Sequence, residues 1–482
     1  MKNSAVQKVN TGHYVGGEWQ HADSNSMIDV EDPRTGKIIA QVSDTFHDQW
    51  SQALKSALKA DFPYRKSSIG ERVQLLDETV RLIEENRDDL AQIISAESGK
   101  ALSEAKAEVN YGVGFFQTYS SVIQSERDES TRALTGEYEM LAVQEAVGPA
   151  LLITPWNFPF AMVARKVAAA LAAGCVSILK PAAQTPLTAA FVVDLLHEAG
   201  APKGTVAYLP TSNAGKLSEF FLAEPRIRKV SFTGSTGVGR VLNGLASKNF
   251  QAVSMELGGN APFLVLPSAD IDKAVEGAMV AKFRNSGQAC VAANRIIVHS
   301  AVADEFVEKL RVQVGKMNLS FEGREPDMGP MISQTQLDNF QELVDKSKEE
   351  GGQVIAGGNR VEGPGHFFEP TVVTGLDRNA TIWQEEIFGP LAGVFVADSI
   401  DEMIEWANDT EYGLAAYAYS NDLSEVTLLQ ESIDSGMLAI NRPIVADARA
   451  PFGGVKFSGF GREGGNFGLD DYRVTKYVTK LV

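Results

Sequence analysis

The sequence predicts an α/β fold in which two parallel-sheet units follow one another along the chain. The first observation is a series of short apolar runs between Val147 and Leu266: ALLITP, CVSILKP, TVAYLP, KVSFTG, AVSMEL and PFLVLP. The second is that helix-like stretches such as AMVARKVAAALAA separate most of them, which is typical of βαβ units with helices on both faces of a sheet. The third is the length of 482 residues, at which one hydrophobic core usually no longer suffices.

A long amphipathic helix is predicted before these runs, because apolar residues from Glu71 to Ile94 recur at helical spacing. The apolar runs and the helices between them then indicate a doubly wound sheet of the kind that binds nucleotides. After Asp270 a second α/β unit begins with a helix that leads into FRNSGQAC and the strand RIIVHS, and this unit continues to about Asn441.

The C-terminal part of the chain is predicted to be first irregular and then extended. The glycine-rich stretch PFGGVKFSGFGREGGNFG indicates a loop, and the terminal TKYVTKLV alternates like a β-strand. A lone strand needs a partner. We expect that partner in another subunit or in a hairpin within residues 127–143, as part of a small assembly element.

Composition disfavours several kinds of partner. With 44 Lys and Arg against 62 Asp and Glu, the net charge of −18 repels nucleic acids and anionic membrane surfaces, and an anionic substrate would need a local group of Arg or Lys. The two cysteines cannot form a disulfide framework, and the six histidines show no metal-ligand spacing, so we expect no metal site. The N-terminus lacks an apolar signal core and no run is long enough to span a bilayer, so we expect a cytoplasmic protein.

Two glycine-rich motifs differ in what they indicate. GFGREG, from Gly459 to Gly464, matches G-x-G-x-x-G, but only 18 residues follow it, too few for the βαβ unit of a dinucleotide fingerprint. The loop from Gly234 to Gly239 instead follows the strand KVSF and opens a helix-like stretch, where backbone amides can approach a phosphate. An ordinary strand-to-helix turn explains that loop equally well.

Two residues are candidates for chemistry, although each has a simpler explanation. Cys290 follows the small residues of NSGQAC, which permit a ligand to approach the thiol, yet an isolated Cys is more often a small buried apolar residue. Glu256 ends an apolar strand immediately before two glycines, where a solvated carboxylate is the simpler interpretation.

Seven motifs resemble the signature set of the aldehyde dehydrogenase superfamily and occur in that family's order. They are PWNFP (155–159), LKPA (179–182), FTGSTGVG (232–239), MELGG (255–259), GQAC (287–290), EEIFGP (385–390) and PFGG (451–454). The resemblance implies a Rossmann-type NAD(P)-binding domain and an α/β catalytic domain in a homodimer or homotetramer. The implied segments are 1–126 and 144–258 for the cofactor domain, 259–440 for the catalytic domain, 441–464 for a substrate-mouth loop, and 127–143 with 465–482 for a small β oligomerisation element.

The resemblance also implies a mechanism. Cys290 would attack an aldehyde to form a thiohemiacetal, and Asn157 with the backbone N–H of Cys290 would stabilise the oxyanion. Glu256 would activate the water that hydrolyses the resulting thioester. Because Glu256 is present, the chain departs from the coenzyme-A-acylating relatives, which lack a base at that position, so the expected product is the free acid.

The implied cofactor is NADP or NAD. The positions that match cofactor contacts are Thr154, Pro155, Trp156, Lys180, Ala183, Gly234, Ser235, Leu257, Glu386 and Phe388. Lys180 resembles the ribose-binding lysine, and Glu386 the residue that holds the nicotinamide ribose. NAD-preferring members commonly carry Glu in place of Ala183. A carboxylate about 4 Å from a 2′-phosphate would cost about 4 kcal/mol, so Ala183 permits NADP.

Within the superfamily, AMVARKVAAALAAGC, FRNSGQACVAANR and GGVKFSGFGREGG are most similar to the succinate-semialdehyde dehydrogenases. Arg165, Arg284 and Ser458 match the positions that bind the distal carboxylate of the substrate in those enzymes. The resemblance therefore implies oxidation of succinic semialdehyde to succinate. Without the family resemblance, Arg165 would be interpreted as forming an ordinary salt bridge on the helix surface or between domains. Arg284 would be interpreted as a cation at the end of a helix.

Two departures from that group bear on the substrate and on redox control. Where these enzymes usually read N-E-G, this chain has Asn441-Arg442-Pro443, and Arg442 or Arg449 would add positive charge near the mouth. A glutarate-type or doubly charged semialdehyde, a phosphonate aldehyde and a general aliphatic or aromatic aldehyde therefore stay open as substrates. The second cysteine that some relatives place after the nucleophile is Ala292 here, which excludes a redox disulfide at that site.

Two other classes of function are weaker interpretations. A cysteine hydrolase would need an imidazole near the thiol, and none of the six histidines lies in the shared motifs. A non-catalytic structural or binding protein on the same fold would have no physical reason to keep Cys290, Glu256 and Asn157 together.

Overall fold

The structure, a computed structural model, describes residues 4–21, 26–125, 129–320 and 325–481. Its first layer is an eight-stranded sheet. In order across that sheet, the strands are Glu18–Gln20, His13–Val15, Val206–Tyr208, Ser177–Lys180, Ala150–Ile153, Lys229–Thr233, Ala252–Glu256 and Gly459–Phe460.

The five central strands of this sheet are parallel, and their order reverses once. From Ala150–Ile153 the chain first adds Ser177–Lys180 and Val206–Tyr208 on one side, and then returns to add Lys229–Thr233 and Ala252–Glu256 on the other. In doubly wound sheets, ligands bind at the carboxyl ends of the strands where the order reverses.

A second sheet of seven strands follows in sequence. In order, these strands are Gln353–Ala356, Thr371–Thr374, Leu391–Ala397, Ala293–His299, Ala261–Val265, Ala415–Tyr419 and Met437–Ile440. All neighbours are parallel except the first pair. Together the two sheets confirm the predicted α/β fold of two parallel-sheet units.

Helices connect and cover these strands. The α-helices among the described residues are His47–Arg65, Ile69–Glu85, Arg87–Ser98, Leu102–Ser125, Pro159–Ala173, Pro186–Glu198, Ala214–Leu222, Thr236–Ser247, Ile271–Phe283, Ala303–Val314, Gln334–Glu349, Thr381–Gln384, Ile400–Asn408, Leu423–Ser432 and Gly465–Asp470. Short 3₁₀ turns span Val6–Lys8 and Arg284–Gly287. Within the described ranges, no helix is long and apolar enough to cross a membrane.

The prediction of one long helix from Glu71 to Ile94 is wrong, because the helix is interrupted at Asn86. The Asn86 backbone leaves the helical region (φ −104°, ψ 15°), and its side-chain amide donates to Leu82 O at 2.9 Å, which caps the first helix. Asn stabilises such breaks because its short side chain can bond to the neighbouring backbone.

The C-terminal strand finds its partner within the same chain. Arg473–Leu481 pairs antiparallel with Tyr138–Ala146, which also pairs with Glu129–Arg132, in a three-stranded sheet. Of the predicted hairpin, residues 127 and 128 lie outside the described residues. Two further two-stranded sheets join Met27–Asp32 to Lys37–Ser43 and Tyr412–Gly413 to Val455–Lys456.

The glycine-rich stretch predicted to be a loop contains paired strands. Gly459 and Phe460 pair antiparallel with Glu256 and Met255, so residues of the predicted mouth loop extend the first sheet. A Cβ at Gly459 would lie 1.9 Å from Met255 O, and its φ of +105° also favours glycine. This pairing brings the GFGREG motif beside Glu256.

Candidate active site

The loop before Cys290 adopts an unusual backbone. Asn285, Ser286 and Gly287 have φ values of 53°, 57° and 68°, a left-handed run that non-glycine residues rarely adopt. A Cβ at Gly287 would lie 2.2 Å from Gly389 O, so the GQAC and EEIFGP motifs meet backbone to backbone. Strained segments of this kind persist where their surroundings fix them and are common at functional sites.

Side-chain hydrogen bonds hold this loop in place. Asn285 Nδ2 donates to Asn157 O at 3.0 Å, and Ser286 Oγ donates to Gly329 O at 2.7 Å. Gln288 accepts from Ile332 N through Oε1 at 2.9 Å. The position of Cys290 is therefore fixed by two other segments of the chain, one at Asn157 and one at Gly329–Ile332.

Cys290 is partly exposed and lines the main cavity. Burial raises the pKa of its thiol to about 12, and the charges of Glu386 and Glu256 add to that increase, whereas Arg165 opposes it. The resting group at neutral pH is therefore the thiol, and formation of the thiolate requires a base.

Asn157 lies buried beside the cysteine loop. Its Nδ2 donates one hydrogen to Gln288 O at 3.1 Å, and its Oδ1 accepts from Phe158 N at 3.1 Å. The carbonyl of Asn157 accepts from Lys100 Nζ at 2.8 Å, and Lys100 in turn pairs with Glu108 at 2.6 Å. An amide nitrogen has two hydrogens, so one remains for a ligand.

Glu256 lies at the end of its strand and is buried. The residue is 2% exposed, and neither carboxylate oxygen has a hydrogen-bond partner among the described residues. Burial, together with the charge of Glu463, raises the pKa of Glu256 well above its usual value, although Arg165 and Lys166 oppose that increase. A Cβ at Gly453, in the PFGG motif, would lie 2.8 Å from Glu256 Oε1, so glycine there leaves room for the carboxylate.

A buried ionic cluster lies beside Glu256. Glu463 Oε2 is 2.5 Å from Arg165 Nε, and its Oε1 accepts from Lys166 Nζ at 2.6 Å and from Ser231 Oγ at 3.2 Å. Although burial alone would raise the pKa of Glu463, the charges of Arg165 and Lys166 lower it to about 2. Glu463 is therefore ionised and acts on Glu256 as a fixed negative charge.

Sequence reasoning missed Glu463 and Lys166, although a signal was present. Every residue of the helix Pro159–Ala173 is buried, and the sequence of that helix is apolar except for Arg165 and Lys166. Two adjacent cations on an apolar helix require an acidic partner, because an unpaired buried charge is very costly. The partner lies almost 300 residues away, inside a glycine motif that does not bind a dinucleotide.

A cavity of about 900 Å³ opens in front of Cys290. Arg165, Arg284 and Tyr111 line it together with apolar residues such as Phe158 and Phe452. Among these lining residues, Arg165 Nη1 and Tyr111 Oη are buried and have neither a hydrogen-bond nor an ion-pair partner in the described part of the chain. Buried donors without partners are rare in folded proteins and indicate a missing ligand or water.

Arg284 and Arg165 differ in their environments. Arg284 is partly buried, lies 5.6 Å from the Phe158 ring centroid, and makes no ion pair among the residues that the structure describes. Arg165 is fully buried, pairs with Glu463, and lies 4.3 Å from the Phe452 ring centroid. Both guanidinium groups belong to the same cavity as the Cys290 thiol.

The prediction that Ser458 binds the substrate carboxylate is contradicted. Ser458 is fully buried, donates from Oγ to Gly258 O at 2.7 Å, and accepts from Gly413 N at 3.0 Å. It does not line the cavity. Both hydrogen-bonding functions of its hydroxyl are used by the backbone, so Ser458 stabilises the loop around Gly258 instead.

The predicted cofactor residues lie along one edge of the first sheet. Ile153 and Lys180 are paired at the ends of two parallel strands, and Thr154 N donates to Lys180 O at 3.2 Å. Thr233 and Glu256 are paired in the same way, and Gly234 N donates to Glu256 O at 3.0 Å. Pro155 and Ala183 follow the first two of these strand ends, and both are partly exposed.

Other predicted cofactor residues are joined by direct contacts. Trp156 and Phe388 meet edge to face with ring centroids 5.4 Å apart. Glu386 Oε1 accepts from Gly259 N at 3.1 Å, and a Cβ at Gly258 would lie 2.8 Å from its Oε2. Burial raises the pKa of Glu386 to about 7.

The loop after the strand Lys229–Thr233 leads directly into a helix. Ser235 is the N-cap of Thr236–Ser247, and its hydroxyl makes no capping hydrogen bond. A Cβ at Gly239 would lie 2.4 Å from the Leu257 side chain, so this glycine lets the helix pack against the MELGG segment. The free N-terminal amides suit an anionic group such as a phosphate.

The residues at this edge fit a nicotinamide dinucleotide. Lys180 is 7% exposed, and burial lowers the pKa of its ammonium to about 8. Its Nζ has no ion-pair or hydrogen-bond partner in the part of the chain that is described. The hydrogens of this ammonium are free for an acceptor, and a ribose diol supplies one. Within the same ranges, no group of His, Cys, Asp and Glu side chains is arranged to hold a metal ion.

Comparison with known proteins agrees with this geometry. The model of the aldehyde dehydrogenase family matches residues 19–478. The chain is 42% identical over 467 residues to 3-sulfolactaldehyde dehydrogenase of Pseudomonas putida, covering 96% of each chain. It is 40% identical over 466 residues to the NADP(+) succinate-semialdehyde dehydrogenase of Escherichia coli K12, again covering 96% of each.

Solved structures give the same result. The succinate-semialdehyde dehydrogenase from Burkholderia pseudomallei superposes with a TM-score of 0.96 at 39% identity, covering 100% of both chains. The predicted family and fold are therefore confirmed. The chain belongs to the aldehyde dehydrogenase family and is an NAD(P)-dependent oxidoreductase that acts on aldehydes.

Proposed function

We propose that this enzyme oxidises succinic semialdehyde to succinate with NADP or NAD as acceptor. The observation that carries this proposal is the placement of Arg165 and Arg284 in one cavity with the Cys290 thiol. A substrate with an aldehyde at one end and a carboxylate at the other fits this arrangement, because guanidinium groups bind carboxylates strongly. A neutral aldehyde would leave Arg284 without an anionic partner.

The first chemical step in this proposal is addition of Cys290 to the aldehyde carbon. Because the thiol is protonated in the resting site, its proton must leave as the sulfur attacks, and the nearby Glu256 carboxylate accepts it. Negative charge then develops on the aldehyde oxygen. The free hydrogen on Asn157 Nδ2 and the backbone N–H of Cys290 stabilise it, and removal of one such donor typically costs about 3–4 kcal/mol.

A bound nicotinamide cofactor would supply the acceptor for the hydride of the aldehyde carbon. Lys180 and Glu386 would hold its two ribose groups, and Trp156, Ser235 and Gly234 would contact its pyrophosphate. The rest of the proposed cofactor cleft would be lined by Thr154, Pro155, Leu257 and Phe388. The product of this step on the protein is a thioester at Cys290.

Hydrolysis completes the proposed turnover. Glu256 first releases to solvent the proton that it took from the thiol. It then removes a proton from water as that water attacks the thioester, and passes this proton to the departing sulfur, which releases succinate and the Cys290 thiol. Burial first, and then the charge of Glu463, raise the pKa of Glu256, which makes its carboxylate a stronger base. Glu463 is a positioning residue that acts on the base through this charge.

For the cofactor, we propose that NADP is used at least as well as NAD. Ala183 carries no charge, so it offers no repulsion to a 2′-phosphate. The Escherichia coli relative is named as an NADP(+) enzyme, which is consistent with this choice.

A second candidate substrate is a sulfonated aldehyde. The relative from Pseudomonas putida acts on 3-sulfolactaldehyde by its name, and a sulfonate offers the same acceptor oxygens to Arg165 and Arg284. Glutarate-type semialdehydes differ from succinic semialdehyde only in length, and the cavity leaves room for them.

We also propose a homodimer or homotetramer in the cytoplasm. Arg473–Leu481 forms an edge of its sheet, with Tyr477 63% and Leu481 82% exposed, and an unpaired edge with apolar side chains is a ready site for assembly. Both cysteines are free thiols, as a reducing compartment would keep them.

The test is the initial rate of nicotinamide reduction with succinic semialdehyde and with butanal, each with NADP and with NAD. The proposal predicts a kcat/KM for succinic semialdehyde at least about tenfold above that for butanal, from one charge-assisted contact. Equal values for the two aldehydes would refute the carboxylate site. No reduction of either cofactor with both aldehydes would refute the proposed substrate class.

A further inference from the structure

The mouth of the substrate cavity carries an exposed guanidinium group. Arg442 is exposed and lines the cavity in front of Cys290. Among the described residues it makes no ion pair and no side-chain hydrogen bond. The less exposed Arg284 also makes no ion pair among these residues, although its charge acts on the buried Glu104, so the cavity is lined by two guanidinium groups on different segments that lack an ion-pair partner there.

The acidic residues of the cavity are engaged elsewhere. Asp447, whose charge interacts with Arg442, accepts from Arg449 N, Nε and Nη2 at 3.0, 3.1 and 3.0 Å. Glu108 is paired with Lys100, and Glu104 Oε1 accepts from a backbone N–H at 2.7 Å while its charge interacts with Lys100 and Arg284. None of these three carboxylates forms an ion pair with Arg442 in the described part of the chain.

The backbone holds Arg442 at the mouth. The preceding Asn441 has φ 53°, accepts from Ser420 N through Oδ1 at 3.0 Å, and donates from Nδ2 to Ser420 O at 2.7 Å. Pro443 follows and fixes its own φ. The backbone is therefore restrained on both sides of Arg442, by the hydrogen bonds of Asn441 and by the ring of Pro443.

The size of the cavity permits a substrate that reaches this point. About 900 Å³ is near the upper end of the range of about 300–1,000 Å³ that holds drug-sized ligands. A four-carbon semialdehyde bound at Cys290 and Arg284 fills only a small part of it. The remaining space lies between apolar residues and the segment that carries Arg442, including Ile444 and Ala446.

We propose that Arg442 forms a second anion subsite and that the enzyme prefers aldehydes with two anionic groups to those with one. One carboxylate occupies the inner subsite of Arg165 and Arg284, and the second lies at Arg442. This inference rests on the proposed function and narrows its substrate class.

The test uses two aldehydes that differ in one anionic arm. The first is succinic semialdehyde, and the second is 2-(2-oxoethyl)butanedioate, which is the same molecule with a carboxymethyl arm on the carbon beside the carboxylate. Initial rates of NADP reduction are measured with both and with butanal. We expect kcat/KM for the dianion to exceed that for succinic semialdehyde by about fivefold, the effect of one exposed charge pair.

Arg442→Ala should remove that preference. We expect its kcat/KM for the dianion to fall by about fivefold and its kcat/KM for succinic semialdehyde to change by less than about twofold. The control is Arg87→Ala, which makes the same change in net charge at a helix N-terminus outside the residues that line the cavity. The dianion preference of the unaltered enzyme should also shrink as salt increases, because exposed charges are screened.

The outcomes separate the two proposals. If kcat/KM for succinic semialdehyde exceeds that for butanal, but kcat/KM for the dianion is no higher than that for succinic semialdehyde, the inner carboxylate site is supported and the Arg442 subsite is refuted. An equal loss on both anionic aldehydes in Arg442→Ala also refutes the subsite. If neither anionic aldehyde has a higher kcat/KM than butanal, the proposed function itself is refuted.

Discussion

The contrast between Arg284 and Arg165 yields the sharpest prediction. Arg284 has no ion pair among the described residues, although its charge counters the rise that burial causes in the pKa of Glu104, so Arg284→Gln removes a charge without breaking an ion pair. A hydrogen bond to a charged group contributes about 1.5–3 kcal/mol, and about 1.4 kcal/mol corresponds to a tenfold change. We therefore expect kcat/KM for succinic semialdehyde to fall by about 10- to 150-fold, and kcat/KM for butanal to change by less than about twofold.

Arg165→Gln should behave differently. Arg165 pairs with Glu463 and lowers the pKa of Glu256, so its loss leaves a buried carboxylate with only Lys166 as counterion and raises the pKa of the base. At neutral pH, turnover of both aldehydes should therefore fall, with an additional loss for the semialdehyde.

The assay is the initial rate of NADP reduction over a range of aldehyde concentrations, with melting temperature as a control for folding. Equal losses for succinic semialdehyde and butanal in Arg284→Gln would refute the assignment of this residue to the substrate carboxylate. If Arg165→Gln affected only the semialdehyde, its proposed link to Glu256 would be wrong.

Three further predictions concern the base and the cofactor. Glu463→Gln removes the negative charge that raises the pKa of Glu256, so the acidic limb of the kcat profile should move to lower pH; movement to higher pH contradicts the reasoning. The folded-state pKa of Glu256 is raised, so its protonated form stabilises the fold below the unfolded pKa and this contribution is lost as pH rises through the folded pKa. Glu256→Gln should therefore raise the melting temperature more at pH 9 than at pH 5, and an equal shift contradicts it. Ala183→Glu should lower the NADP to NAD ratio of kcat/KM by up to about a thousandfold, which corresponds to about 4 kcal/mol, and an unchanged ratio removes its role.

Local sequence patterns predicted most of the fold. The alternation of short apolar runs with helix-like stretches predicted both parallel sheets, because strands buried on two faces are continuously apolar. The break at Asn86 was missed, since apolar spacing continues across it and only the local backbone changes. The pairing of Gly459 with Glu256 was missed because it joins segments about two hundred residues apart.

At the active site, the sequence motifs were a better guide to which residues lie close together than to the role of each side chain. Cys290 and the two arginines share one cavity, as expected from their motifs. Ser458 was misassigned because position along the chain does not reveal that the backbone uses its hydroxyl. Tyr111 lies on a helix whose spacing gives no indication of its unpaired hydroxyl.

The most direct test of the central claim is mass spectrometry of the Glu256→Gln variant after reaction with succinic semialdehyde and NADP. Because this variant lacks the base for both steps, it should reduce NADP more slowly than the first turnover of the unaltered enzyme, reach about one NADP per site, and then stall with a succinyl group on the peptide that contains Cys290. The same variant with Cys290→Ala should show neither the burst nor the adduct. Steady turnover by Glu256→Gln at the rate of the unaltered enzyme, or an adduct on another residue, would contradict the proposed roles of Cys290 and Glu256.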